Sequence, residues 1–115
     1  MNAEPFTGFF SRHGLLYMVI ADVLSGQRYA LGSPEGLTRN GLVNLTADLE
    51  TLDRSLSGQI LPTSYRQGRE ACFIMKPSPD VIAVLYFEPA RDFFEEIQWG
   101  KDMDHELRQL VGQAG

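Results

Sequence analysis

The side chains best suited to hold a metal ion lie close together near the C-terminus of the chain. His105 is flanked by Asp104 and Glu106, and Asp102 stands three positions before it. On a helix, residues three and four positions apart share a face, so Asp102, His105 and Glu106 would present oxygen and nitrogen ligands to a divalent ion. Acidic helix surfaces are common, however, and nothing else in the 115 residues points to a metal. We therefore predict a solvated acidic surface there and no metal site.

The other reactive residue types also favour structural roles. Cys72 is the single cysteine, which excludes an internal disulfide and a cysteine-based zinc site. It alternates with Ala71 and Phe73 in an apolar run, so we interpret it as a small buried residue and not as a reactive thiol. The segment Ser11–His13 is too short to define a catalytic arrangement, because catalytic partners are neighbours in space and not in sequence. We predict no catalytic residue, no cofactor and no enzyme activity.

Three basic side chains, Arg66, Arg69 and Lys76, gather around predicted turns in the second half of the chain, whereas acidic residues dominate the C-terminal segment. This polarity could steer a charged protein partner, so we name the three residues as candidate partner contacts. The alternative is that these charges keep the edge of a sheet soluble.

Composition excludes several other kinds of partner. With a net charge of -5 and a pI of about 4.9, the chain lacks the basic surface that nucleic acids require, and it suits an anionic membrane equally poorly. The N-terminal residues lack the basic region and apolar run of a secretory signal, and no apolar run approaches the roughly 20 residues that span a bilayer. We expect a cytoplasmic protein that binds neither nucleic acid nor membrane.

Two apolar runs in the first third of the chain predict a β-hairpin. Leu15–Val23 is nearly all apolar and rich in β-formers, which predicts a strand buried on both faces. The residues from Asp22 to Gly26 favour a tight turn, since Gly26 can take the positive φ that such a turn needs. Gln27–Leu31 then returns as the second strand.

The clearest helical pattern consists of five leucines, Leu42, Leu45, Leu49, Leu52 and Leu56. Their spacing alternates between three and four residues, which places them in one stripe along a helix. We therefore predict one long helix, Thr38–Ser57, whose leucines pack on the sheet.

The second half of the chain contains three further predicted strands. Gln59–Tyr65 alternates weakly and includes Pro62, which cannot donate to a ladder and so favours an edge position. Glu70–Met75 is the next strand and is followed by a predicted turn. Val81–Phe87 is uncharged and rich in branched and aromatic residues, which predicts the central strand.

The last predicted element is a helix over Ala90–Val111. Phe93, Phe94 and Ile97 form the first of its two apolar patches. Gly100 falls between the patches, so the sequence predicts either a kink or two shorter helices at that point.

The N-terminal residues 1–14 have two interpretations. Phe6, Phe9 and Phe10 have helical spacing, which favours a short docking helix. Gly8 interrupts the segment and costs roughly 1 kcal/mol in a helix, which favours an irregular tail that lays its aromatic rings on the body. We prefer the tail.

Together these elements predict one α+β domain over residues 15–111, followed by a C-terminal tail, 112–115. Its core is a five-stranded antiparallel sheet with a long helix between the second and third strands and a helix at the C-terminus.

The element order over Leu15–Val111 resembles that of the Roadblock (dynein light-chain-like) family, within the profilin- and longin-like group. The first hairpin adds a local similarity: the residues from Val19–Asp22 through Ser25–Gly26 to Tyr29–Ala30 place an aspartate and a glycine at the turn and a small residue after it. The resemblance implies a non-enzymatic homodimer that acts as an adaptor or regulator of a small Ras-like GTPase, or of a motor or signalling assembly.

In that family the strand after the long helix pairs with its copy, and the long helices meet across the same axis. The residues that the resemblance places at this interface are Leu61, Thr63, Ser64, Tyr65 and Arg66. The sequence names no arginine finger; Arg66 and Arg69 are the two residues that could reach a nucleotide bound to the partner. The competing hypothesis is a PAS-like sensor of a small ligand, a fold that usually breaks its middle segment into several short helices around a cavity.

Overall fold

The computed structural model describes residues 4–39 and 41–114 of the chain. In chain order the elements are α1 (Glu4–His13), β1 (Tyr17–Asp22), β2 (Arg28–Gly32), α2 (Leu49–Ser55), β3 (Thr63–Gln67), β4 (Glu70–Ser78), β5 (Val81–Phe87) and α3 (Phe93–Ala114). Two 3-10 turns, Pro34–Gly36 and Leu42–Thr46, lie between β2 and α2.

The five strands form one antiparallel sheet in the order β2-β1-β5-β4-β3. The central position of β5 is confirmed, and all seven of its residues are buried. It pairs Val84 with Val19 of β1 on one side and Leu85 with Phe73 of β4 on the other. The predicted first hairpin is also present, with Gly26 at a φ of 78° in its turn.

Strand side chains alternate between the two faces of the sheet, so the molecule has two cores. The first lies under α1 and α3 and includes Phe6, Phe9, Met18, Phe73, Leu85, Met103 and Leu107. The second lies on the opposite face, under residues 42–56, and includes Val19, Leu49, Leu56, Ile74, Val84 and Tyr86.

The prediction of one long helix over Thr38–Ser57 is wrong. The chain forms the 3-10 turn Leu42–Thr46 and then the seven-residue helix α2. Asp48 starts α2 by accepting hydrogen bonds from the backbone N–H of Thr51 at 3.1 Å and from its hydroxyl at 2.7 Å. This side-chain cap begins a new helix at the point where the leucine spacing predicted a continuous one.

The leucine stripe nevertheless covers the sheet. Leu49 and Leu56 are buried, and the other three leucines are half-buried against the same core. The hydroxyl of Tyr86 donates a hydrogen bond of 2.8 Å to the carbonyl of Leu42, which fixes the 3-10 turn over β5. The spacing therefore predicted the buried face correctly, although that face belongs to two short segments.

Glu4–His13 form the helix α1, so the preferred interpretation as a tail is wrong for these residues; positions 1–3 lie outside the described residues. Gly8 lies on the exposed side of α1, where an added Cβ would meet nothing within 4 Å. Phe6 and Phe9 are fully buried on the sheet. Burial of two phenylalanine rings outweighs the roughly 1 kcal/mol that a glycine costs inside a helix.

The helix α3 runs without interruption from Phe93 to Ala114, so the chain does not form two shorter helices there. Gly100 lies where the helix touches the sheet most closely, since a Cβ at this position would come within 2.7 Å of the Phe73 ring. The helix ends later than predicted, because positions 112–114 belong to it and not to a tail; Gly115 lies outside the described residues. None of the helices in the described ranges is both long and apolar enough to cross a membrane.

Candidate protein-interaction site

The strand β3 lies at one edge of the sheet, as Pro62 predicted. It pairs with β4 on one side, from Thr63 opposite Ile74 to Gln67 opposite Glu70, and with no strand of the described chain on the other. An unpaired edge presents a row of backbone donors and acceptors to any strand that adds to it. The strand begins at Thr63, so the expectation that Leu61 belongs to it is wrong.

The five residues of β3 divide between the two faces of the sheet. Tyr65 lies opposite Cys72 and packs on the core under α2. Ser64 and Arg66 lie opposite Phe73 and Ala71 and therefore share the face that α3 covers. A strand that pairs with β3 would thus meet Tyr65 on one face and Ser64 and Arg66 on the other.

Arg66 also fixes the start of α3 to the edge strand. Its guanidinium forms an ion pair with the carboxylate of Glu96, and the Glu96 side chain is only 5% exposed. A carboxylate held in so buried a place needs such a partner, because an unpaired buried charge is strongly unfavourable. Arg66 is therefore engaged within the chain.

The other two candidate partner contacts differ from Arg66 in what they touch. The ammonium of Lys76 lies 2.6 Å from a carboxylate oxygen of Asp53 in α2. Arg69 is exposed in the turn between β3 and β4, and no hydrogen bond or ion pair engages it within the described residues. The structure does not gather the three cations into one patch, and Arg69 alone is left with its charge uncommitted.

Apolar side chains are exposed beside the β3 edge. Phe93 is 67% exposed, Phe94 81% and Ile97 39%, and all three lie in the first two turns of α3. Across from them, Ile60 is 91% exposed just before β3. The helical spacing identified the three α3 residues as one patch, but the sequence holds no signal that this patch faces away from the core.

A shallow groove separates the two apolar groups. Ile97 and Lys101 of α3 form one wall, Ile60, Leu61, Pro62 and Ser64 form the other, and Phe73 lies at its base. The groove therefore runs along the N-terminal half of β3 and opens at the same edge of the sheet.

The residues with metal-binding spacing do not converge. The carboxylate of Asp102 accepts a hydrogen bond from Gln98, and His105 contacts the side chain of Gln109. Glu106 points to α1. Across the described chain, no three His, Cys, Asp or Glu side chains meet as metal ligands.

Cys72 is fully buried, and burial raises the pKa of its thiol to about 12, opposed by a backbone hydrogen bond with Tyr65. A thiol that stays protonated at neutral pH is a poor nucleophile. The structural role predicted for Cys72 therefore agrees with its environment.

Sequence reasoning missed one polar cluster, which joins α1 to α3. The ring of His13 accepts a hydrogen bond of 3.1 Å from the indole N–H of Trp99, and its other nitrogen lies 3.0 Å from Glu106. Arg12 forms an ion pair with the same carboxylate. The α1 residues of this cluster are more than 80 positions away from its α3 residues, so no local sequence pattern connects them.

Comparison with known proteins places the fold but not a family. No protein-family model matches the chain, and no curated protein matches its sequence. Among solved structures the chain is similar to Myxococcus xanthus MglB, with a TM-score of 0.58 over 98% of this chain and 94% of that one. The sequence identity is 15%, at which a likeness shows the fold alone. The chain has a fold of the roadblock/longin type, as the element order suggested.

Proposed function

We propose that the protein is a non-enzymatic homodimeric adaptor or regulator whose partner is a small Ras-like GTPase. The observation that carries this proposal is the unpaired edge of β3 beside exposed apolar side chains, on a fold of the roadblock/longin type. An open edge next to exposed apolar side chains is typical of a protein-interaction site.

The dimer would form when β3 pairs with its copy in an antiparallel arrangement, which joins two five-stranded sheets into one. With the two-fold axis near Tyr65, Ser64 of one protomer lies opposite Arg66 of the other. In the family that the chain resembles, long helices meet across the same axis. Here α2 has seven residues, so strand pairing and the flanking apolar groups would supply more of the contact.

The likeness to MglB and the resemblance to the Roadblock family together support a GTPase as the partner. A regulator of this kind would act through its surface. Arg69 is the cation we assign to that contact, because it is exposed while Arg66 and Lys76 are held by carboxylates of the same chain. An arginine in a turn can approach a charged partner without breaking an internal ion pair.

The first test is the solution mass by light scattering over a dilution series. We expect twice the chain mass of 12.9 kDa at micromolar concentration. A monomer at every concentration would contradict the proposal.

The same preparation is then tested for binding to purified small Ras-like GTPases loaded with GDP or with a non-hydrolysable GTP analogue. We expect the affinity to depend on the bound nucleotide. Arg69→Glu should weaken the binding, whereas Arg28→Glu, at an exposed position in β2 on the opposite edge of the sheet, should leave it unchanged. If the chain is a dimer but binds none of the GTPases, the homodimer stands and the proposal of a small-GTPase partner is contradicted.

A PAS-like ligand sensor is the second candidate, because the segment between β2 and β3 consists of two 3-10 turns and a short helix. The space beneath that segment is occupied by Leu49, Leu56 and Tyr86, all buried. Native mass spectrometry separates the two candidates: a small molecule that remains bound to a monomeric chain would favour the sensor.

A further inference from the structure

The helix α3 runs antiparallel to the edge strand. Glu96, in its first turn, pairs with Arg66 near the C-terminal end of β3. Ile97 and Lys101, further along α3, lie against Ser64 and the residues before β3. The start of α3 therefore stands above the end of β3, and the helix then passes back toward the beginning of the strand.

The exposed aromatic side chains at the start of α3 face the open edge of the sheet. Phe93 and Phe94 precede Ile97 by four and three residues, so all three lie on one side of the helix. That side is the one on which Ile97 lines the groove beside Ser64. Phe93 and Phe94, with ring centroids 5.7 Å apart, thus form a projection beside the C-terminal end of β3.

The complementary recess lies at the other end of the same strand. It is the groove lined by Ile60, Leu61 and Pro62, and Ile60 on its rim is 91% exposed. The projection and the recess therefore occupy opposite ends of one unpaired edge.

An antiparallel two-fold pairing of β3 brings these two features together. The C-terminal end of each strand then lies beside the N-terminal end of its partner. The aromatic pair of one protomer comes to the recess of the other, and the symmetry repeats the contact. The two-fold symmetry thus covers both exposed apolar groups of each protomer with one kind of contact. A different protein would need a separate complementary surface for each group.

We propose that Phe93 and Phe94 of each protomer dock against the Ile60–Pro62 segment of a second copy of this chain. This inference rests on the proposed homodimer and adds the side-chain contact that gives the dimer its register. A slip of two residues keeps the backbone hydrogen bonds and the faces of both strands, so main-chain pairing alone does not fix the register. Two reciprocal apolar contacts at its ends allow one register only.

The contact is tested by pairing two charged variants. Phe94→Lys and Ile60→Glu each place a charge in the apolar contact, and we expect each to raise the dimer dissociation constant at least about tenfold. Both positions are exposed in the monomer, so the fold should persist. Leu24→Lys, at a residue 78% exposed in the β1–β2 turn, is the matched control and should leave the dissociation constant unchanged.

An equimolar mixture of the two weakened variants gives the decisive measurement. In the mixed dimer the introduced lysine faces the introduced glutamate, and the second contact is native, so we expect tight association to return. If the aromatic pairs of the two copies contacted each other instead, mixing the variants would not restore association. Failure of association to return would therefore overturn the docking arrangement. A dimer that Phe94→Lys leaves intact would overturn it while keeping the proposed function, whereas a monomeric wild-type chain would remove both.

Discussion

Two pairs of phenylalanines near the starts of helices differ in their exposure to solvent. Phe6 and Phe9 of α1 are fully buried, whereas Phe93 and Phe94 of α3 are 67% and 81% exposed. Phe6 with Phe9 has the spacing of an apolar helix face, and so do Phe93 and Phe94 when Ile97 is included. The difference arises because α1 packs on the sheet from Phe6 onward, while α3 packs on it from Glu96 and Trp99 onward, after Phe93 and Phe94.

This difference separates the apolar residues that hold the fold from those that are available to a partner. Phe6 and Phe9 fill the core under the two helices. Phe93 and Phe94 lie outside that core and keep most of their ring surface in water. A contiguous exposed apolar group of this kind is the usual mark of an interaction surface. The residue type is the same in the two helices, and the difference in exposure follows from what covers each pair of rings.

Removing a buried ring from α1 should destabilise the chain most. Phe9→Ala should lower the free energy of unfolding by about 3–5 kcal/mol, because it leaves a cavity beneath α1. Phe93→Ala should change it by less than about 0.5 kcal/mol in the monomer, since the ring is mostly exposed. Unfolding by urea measures both changes in free energy, at a protein concentration low enough to keep the chain monomeric. Equal losses for the two variants would show that the start of α3 is part of the core.

The strands were predictable from sequence because their signals are local. Val81–Phe87 is an unbroken apolar run, and Asp22 with Gly26 specifies the turn of the first hairpin. Pro62 correctly placed β3 at an edge. In each case the residues that determine the structure are neighbours in the chain.

The helices and the site were less predictable because their determinants are distant in sequence or compete locally. Asp48 caps a new helix inside the leucine stripe, and a side-chain cap outweighs apolar spacing at that point. Arg66 is held in an ion pair by Glu96, which lies 30 positions away in the sequence. The exposure of Phe94 depends on where α3 touches the sheet, and only the tertiary structure fixes that.

A smaller effect tests what holds the start of α3 in place. Arg66→Ala leaves the buried carboxylate of Glu96 without its ion pair, and an unsatisfied buried group of this kind costs about 1–3 kcal/mol. Arg69→Ala removes the same charge from an exposed turn and should leave stability unchanged. Thermal unfolding of the two variants gives the comparison. If Arg66→Ala were as stable as Arg69→Ala, the ion pair would not fix α3 to β3.

The smallest effect concerns α1, whose end is held to α3 by Glu106. Burial alone would raise the pKa of this carboxyl, but hydrogen bonds from Arg12 and His13 lower it below its ordinary value. The unfolded chain therefore takes up the proton first as the pH falls. The stabilisation is fully present above the ordinary glutamate pKa of about 4.3 and is lost as the pH passes below it through the folded value.

Unfolding followed by the fluorescence of Trp99, the single tryptophan, measures this pH dependence at the contact itself. Glu106→Gln should lose the part of the acid sensitivity that lies below about pH 4.3. Arg12→Ala should reduce the same part in the wild-type background and do nothing further in Glu106→Gln, because its effect passes through that carboxylate. If the two substitutions changed the acid sensitivity additively, Arg12 would act through a group other than Glu106. The burial of Phe6 and Phe9 would then hold α1 on the sheet without help from the Arg12–Glu106 ion pair.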